Sequence, residues 1–436
     1  MQKIIDECRK TVWKAECEGV YSLYLNFNMP KTFNSIHFTE KSQGEFCYKN
    51  SAGDTVYTNT HIYGIVGFSV FVSVDGEKWK KVYTQDEMGC RTVVLNDTYT
   101  AAGVRIDITT DRNAEILEIE FNNTPRYNKK LRVLSYVRRL EVIDNYTENI
   151  KYLTDISLID YGYWTEKGKF IFGDTGYTES DSASVENDFK QRISIIRKIN
   201  PDINIWYSMR RSEYDEKDKR SAFDSCTNFE ALTDTCVFMC RKYGLCGIDF
   251  DFEYPEGEKQ ILNYNNFLFA LGDKLHGNGF KLSVATSDFV NHRLSAEHID
   301  YVNLMTYDRV TLDRFGRHNT YNSIYRQIEK IKSNGFKEEQ ILLGLGYYGR
   351  MKSGSEQIPY KKLIGVGETD SAACRKNITQ FYCADASLNA DKVLLALQKN
   401  LNGVFSWSLT TDVPLSNKYS LAGSVKRTID RFALTE

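Results

Sequence analysis

The chain has 436 residues, a net charge of −2, 42% hydrophobic residues and 26% charged residues. That balance belongs to an ordinary globular protein and excludes disordered or collagen-like chains. The near-neutral charge gives no support for a nucleic-acid or membrane-surface partner, both of which favour basic patches.

The N-terminal part, to about residue 126, reads as short strands joined by turns. Phe68 to Val74 (FSVFVSV) is dense in β-branched and aromatic residues. Asp75-Gly76 is a hairpin turn signal, and Glu77 to Tyr83 reads as the returning strand. Val104–Ile108 and Ile116–Phe121 alternate apolar and polar at period two. Strands at this spacing predict a β-sandwich. The run VSVDGEKW followed by GVRIDI resembles the discoidin, or coagulation-factor C-type, jelly-roll modules. The resemblance implies a possible carbohydrate-binding module over residues 1–127 and names no binding residue. Asn122 to Asn128, polar and carrying Pro125, reads as the linker.

From Leu131 the pattern changes to strand, helix, strand, helix. Apolar strand candidates fall at 131–138, 155–164, 203–209, 245–253, 280–288, 300–308, 341–350 and 403–412. Amphipathic segments lie between most of them, including Val185 to Lys198, Phe229 to Tyr243, Ile261 to Leu275, Tyr321 to Lys332 and Leu388 to Leu397, and Ser420 to Phe432 closes the chain. Eight strands alternating with helices predict a (β/α)8 TIM barrel over 128–436, with its chemistry at the C-terminal strand ends. The chain is thus expected to be multidomain, a jelly-roll sandwich followed by a barrel.

The fourth strand ends Asp249-Phe250-Asp251-Phe252-Glu253. Acids at i, i+2 and i+4 share one face of a strand, here the face toward the barrel axis, while Ile248, Phe250 and Phe252 point to the helices. Burying three unpaired carboxylates is costly, and stacked acids titrate as a coupled set. A salt-bridge network or a solvated acidic strand is the bland alternative. Against it stands the row's place inside a buried-strand pattern. An acid at the strand mouth that protonates a leaving oxygen, with a second acid below it, is the equipment of glycosidic-bond cleavage.

The stretch CGIDFDFEYP closely resembles the DGxDxDxEYP signature of glycoside hydrolase family 18, the chitinases and endo-β-N-acetylglucosaminidases. Met305-Thr306-Tyr307-Asp308 looks like the family's MxYD, Tyr348-Gly349-Arg350 like its YGR, and Trp407 like the tryptophan beneath the sugar. The resemblance implies substrate-assisted hydrolysis with retention. Glu253 would be the general acid and then the base. Asp251 would hold the acetamido N–H, Asp249 would share a proton with Asp251, and Tyr307 would orient the attacking acetamido oxygen. The sugar would stack on Trp407, Asp308 and Arg350 would hold hydroxyls, and Met305, Tyr348 and Tyr136 complete the substrate-binding set.

There are departures from the family pattern. Cys246 replaces the signature's first Asp, and Phe252 replaces a usual Trp. Ser208-Met209-Arg210-Arg211 stands where the family shows SxGG. The two arginines would crowd or charge that edge, or pair with nearby acids. The stretch 351–386 is short for a deep α+β lobe and predicts a shallower cleft.

Ten cysteines form no CxxC pair and six histidines lie scattered, so no metal and no cofactor is expected. The N-terminal MQKIIDECRK has no apolar h-region, which implies a cytoplasmic protein if the chain is full-length and a secreted one if a leader was trimmed. No segment is apolar over membrane-spanning length. The expected partner is an N-acetylglucosamine-containing oligo- or polysaccharide. The alternatives are an endo-β-N-acetylglucosaminidase acting on N-glycans and a chitinase-like lectin that binds without turnover.

Overall fold

The computed structural model describes residues 13–15, 17–40, 46–49, 55–58, 65–85, 92–110, 114–165, 167–174, 178–210, 229–252, 255, 257–287, 294–307, 321–351, 357–363, 381–383 and 386–434. The N-terminal part holds eight strands: β1 (Trp13–Ala15), β2 (Gly19–Glu40), β3 (Phe46–Lys49), β4 (Thr55–Thr58), β5 (Ile65–Ser73), β6 (Lys80–Gln85), β7 (Thr92–Thr110) and β8 (Ala114–Asn122). Six of them form one antiparallel sheet in the order β1-β8-β2-β7-β5-β6, and β3 pairs with β4.

The sequence predicts short strands here, yet β2 runs for 22 residues and β7 for 19. The two pair along their lengths with register shifts between Asn26 and Lys31 and between Phe33 and Ser35. Pro30 sits in the first gap, where its missing N–H costs the ladder nothing. Leu23 and Leu25 from one half of β2 share a core with Phe33, Ile36 and Phe38 from the other half. The sheet therefore folds over on itself as a β-sandwich. Glu77 to Trp79 belong to the turn rather than to the returning strand, because the Asp75 carboxylate accepts from the Glu77 and Lys78 amides at 2.9 and 2.8 Å. Gly76 takes φ +81° there, as such a turn requires. The polar link then runs along the end of the chain. The Tyr127 amide donates to the Phe432 carbonyl at 2.7 Å, and Arg126 Nε to the Ala433 carbonyl at 3.1 Å.

The second part is a closed parallel barrel, as the sequence predicts. Its strands are β9 (Arg132–Arg138), β10 (Asp155–Ile159), β13 (Asn204–Met209), β14 (Gly247–Phe250), β15 (Lys281–Thr286), β16 (Tyr301–Leu304), β17 (Ile341–Gly346) and β21 (Gly403–Trp407), and β21 pairs back onto β9. Short antiparallel pieces decorate it: β11 (Gly162–Trp164) with β12 (Phe170–Phe172), and β18 (Tyr348–Met351) between β19 (Gln357–Pro359) and β20 (Phe381–Cys383). The stretch after the seventh barrel strand thus carries a small sheet of its own.

Around the barrel lie α1 (Thr147–Tyr152), α2 (Glu179–Ile199), α3 (Phe229–Tyr243), α4 (Gly257–His276), α5 (Tyr321–Ser333), α6 (Tyr360–Leu363), α7 (Ala386–Gln398) and α8 (Leu421–Phe432). No helix among the described residues is long and apolar enough to cross a membrane.

Strand alternation sorts the core into two shells. Ile156, Leu158, Ile248 and Phe250 pack outward against the helices. Leu134, Tyr136, Ile159, Trp206, Met305, Tyr307 and Phe405 fill the barrel interior. Gly247 is dictated by this interior, because a Cβ there would lie 2.2 Å from the Lys281 carbonyl and 2.8 Å from the Trp206 ring.

The floor is polar. Asp155 is wholly buried and pairs with Arg132, while accepting from Trp206 Nε1 at 2.8 Å and from Thr154 Oγ1 at 2.6 Å. Arg132 in turn donates to the Tyr301 hydroxyl at 2.8 Å. Arg132→Met would strand a buried carboxylate. Chemical denaturation is expected to show a loss of about 3 kcal/mol, with turnover per folded molecule unchanged because the floor lies at the opposite end from the strand mouths.

Candidate active site

Period-two geometry puts Asp249 and Asp251 on the axial face of β14 and its extension, with Ile248, Phe250 and Phe252 in the outer shell. The Asp251 amide donates to the Met209 carbonyl at 3.1 Å, carrying the pairing one step past the end of the strand. Asp249 has no exposed surface. Its Oδ2 accepts from the Tyr136 hydroxyl at 2.7 Å, and its Oδ1 from Asn303 Nδ2 at 3.0 Å. The same Asn303 nitrogen lies 2.9 Å from the Tyr136 hydroxyl and 3.0 Å from Ser283 Oγ.

Burial pushes the Asp249 carboxyl above its ordinary range, and the hydrogen bonds from Tyr136, Ser283 and Asn303 oppose that shift. Burial, together with the charges of Asp249 and Asp251, raises the Tyr136 phenol well above its ordinary value, so it stays a donor. Asp251 is 7% exposed, the more open of the two acids.

Glu253 and Asp308 lie outside the described residues, as does Arg211. The other predicted residues converge at the C-terminal end of the barrel. Tyr307 is nearly buried and meets Tyr348 and Phe405 edge-on, at 6.1 and 6.0 Å between ring centroids. Trp407, half-buried, leans on Tyr136 at 5.6 Å. Met305 packs in the same cluster. Tyr136 stands with its hydroxyl spent on Asp249. Arg350 lies on β18, the strand that also carries Tyr348, and is half-buried.

Arg210 is committed to the protein: its Nε donates to Asp160 Oδ1 at 2.9 Å, and Arg138 Nε donates to Asp160 Oδ2 at the same distance. Of the two fates open to it from sequence, pairing with a nearby acid is the one seen. Cys246 lies just before β14, its amide on the Ile205 carbonyl, and burial pushes its thiol up, away from nucleophilic character.

Sequence reasoning missed Asn303 and Ser283. Their signal was a single polar residue at an axis-facing position inside an apolar strand run, VNLM and LSVA. The contribution of such donors is testable at the third of them, through Tyr136→Phe, which removes the hydroxyl that donates to the Asp249 carboxyl. Losing that donor disfavours the ionised form, so the acidic limb of the kcat/KM profile is expected to move to higher pH. About half to one unit corresponds to one hydrogen bond near 1 kcal/mol.

Comparison with known proteins agrees with the barrel fold. The family model for glycosyl hydrolases family 18 matches residues 136–412. A class V chitinase of Arabidopsis thaliana is 22% identical, covering 53% of this chain and 75% of its own. Among solved structures, a chitinase from Bacteroides thetaiotaomicron superposes with a TM-score of 0.55 at 19% identity, covering 69% of this chain and 96% of that one. The Cycas revoluta chitinase in complex with (GlcNAc)3 gives 0.54 at 16%, covering 68% and 99%. With the match spanning the barrel from the strand that carries Tyr136 to Asp412, just beyond the eighth strand, the chain belongs to glycosyl hydrolase family 18 and is a glycoside hydrolase.

Proposed function

We propose that this enzyme hydrolyses β-1,4-linked N-acetylglucosaminides, chitin or chito-oligosaccharides, with retention and with the substrate's own acetamido group as nucleophile. The observation that carries this reading is the asymmetric pair on β14 and its extension: Asp249 sealed and hydrogen-bonded below, Asp251 more open above, on one axial row. In the proposed cycle Glu253 gives its proton to the leaving oxygen while the acetamido oxygen attacks the anomeric carbon. Asp251 receives the acetamido N–H and balances the charge that develops on the oxazolinium ring. Tyr307 holds the acetamido oxygen in line for attack. Glu253 then takes a proton from water as that water opens the ring.

The sugar stacks on Trp407, and Arg350 and Asp308 take hydroxyls. Residues 1–127 act as a separate discoidin-like carbohydrate-binding module. In support, its outer sheet face carries Tyr24 edge-on to Trp79 at 5.6 Å, with Arg105 over Phe71 at 3.8 Å, an aromatic surface edged by charge.

Fluorophore release from a chitobioside, compared with trimming of an N-glycopeptide, tests the substrate. Faster cleavage of the chitobioside supports the reading. Faster cleavage of the glycopeptide replaces it with an endo-acting N-glycan hydrolase, and tight binding of both without cleavage replaces it with a lectin.

A further inference from the structure

Lys392 on α7 is a lysine among apolar residues, between Asp391 and Val393 in a helix whose face packs on the barrel. It is 1% exposed. A buried amine is costly unless its protons are used, and here its Nζ donates to the Thr306 carbonyl and to the Gly344 carbonyl, each at 2.7 Å. Those two carbonyls mark a gap in the barrel. Pairing between β16 and β17 ends at Leu304 and Leu343, one step before Gly344. Beyond that rung, the Gly344 carbonyl accepts from Thr306 Oγ1 at 2.7 Å and from Lys392.

The residue that follows Thr306 is Tyr307, whose ring lies against the bare α-carbon of Gly344. A Cβ at Gly344 would come within 2.7 Å of Tyr307 Cε1. Of the two residues that Lys392 ties together, one therefore precedes Tyr307 in the chain and the other, Gly344, lies against its ring.

We propose that Lys392 is a positioning residue that replaces the missing rung between the sixth and seventh strands and so holds the Tyr307 phenol at the acetamido group. The inference rests on the proposed role of Tyr307. A lysine reaches both carbonyls from the helix, which an apolar residue filling the same space does not. Burial pushes its amine down to about 7, and the neutral amine still carries the two N–H groups that the carbonyls require.

The test is a double-mutant cycle of Lys392→Met and Tyr307→Phe in the full chain, read as kcat and KM on a chitobioside. Lys392→Met is expected to lower kcat by about tenfold to a hundredfold, the effect of misplacing a reacting group by up to an ångström, with KM changed far less. In the Tyr307→Phe background it is expected to cost almost nothing further, because the group it positions has lost its hydroxyl. Lys392→Gln, which keeps a donor, is expected to recover part of the loss, and it takes the place of the methionine variant in the cycle if that variant fails to fold.

A kcat for Lys392→Met equal to wild type, or losses that multiply in the double variant, would overturn the proposal while leaving the functional reading intact. A wild-type chain inert on the chitobioside overturns that reading, and this role with it.

Discussion

Replacing Glu253 by glutamine is expected to lower turnover of a chitobioside by at least about a hundredfold, the lower end of what general acid–base catalysis contributes. Affinity for the sugar should remain close to wild type, because glutamine keeps the shape and the hydrogen-bonding edge and loses only the transferable proton. Isothermal titration with a chito-oligosaccharide, beside steady-state kinetics, separates the two quantities. Loss of binding in step with turnover would mean that Glu253 shapes the site and does not carry its proton.

Asp251→Asn is expected to lower turnover on the order of a hundredfold as well, the scale of removing one preorganised electrostatic partner of the transition state. The Asp251 backbone amide is held by the Met209 carbonyl at the strand end, which fixes where the proposed charge partner starts from. The variant should also bind a thiazoline mimic of the oxazolinium ring more weakly, because that ligand resembles the species the site stabilises. Weakened turnover with unchanged thiazoline affinity would assign Asp251 to substrate placement instead.

The barrel was legible in the sequence because each strand alternates between an axial and a helix-facing residue, and because eight such runs repeat with helices between them. All eight are present, each shorter than its apolar run. The fourth reads Leu245 to Glu253 in sequence, and its strand runs over Gly247–Phe250 with one further backbone bond from the Asp251 amide. Helix α2 begins at Glu179, not Val185, because Thr178 and Asp181 form a capping box ahead of the first apolar position.

The folded-over sheet of the N-terminal part was illegible for another reason. Local alternation marks a strand, but whether two runs are one bent strand depends on pairing with a distant partner, here β2 with β7. The shared axial face of Asp249 and Asp251 was readable from their spacing. Their supports were less so. Asn303 is a single polar residue in an apolar run and Lys392 one of several polar residues on its helix, and nothing local says which distant carboxylate or carbonyl they meet.

Parallel assays of a chitobioside and a cellobioside carrying the same leaving group, with intact-protein mass spectrometry during turnover, test the proposed mechanism most directly. Cellobiosides have a 2-hydroxyl where the attacking acetamido oxygen must be, so the account predicts release from the chitobioside alone and an unchanged protein mass throughout. Release from the cellobioside at a similar rate, or a glycosyl adduct on Asp251, would contradict substrate assistance and establish a double displacement through the carboxylate.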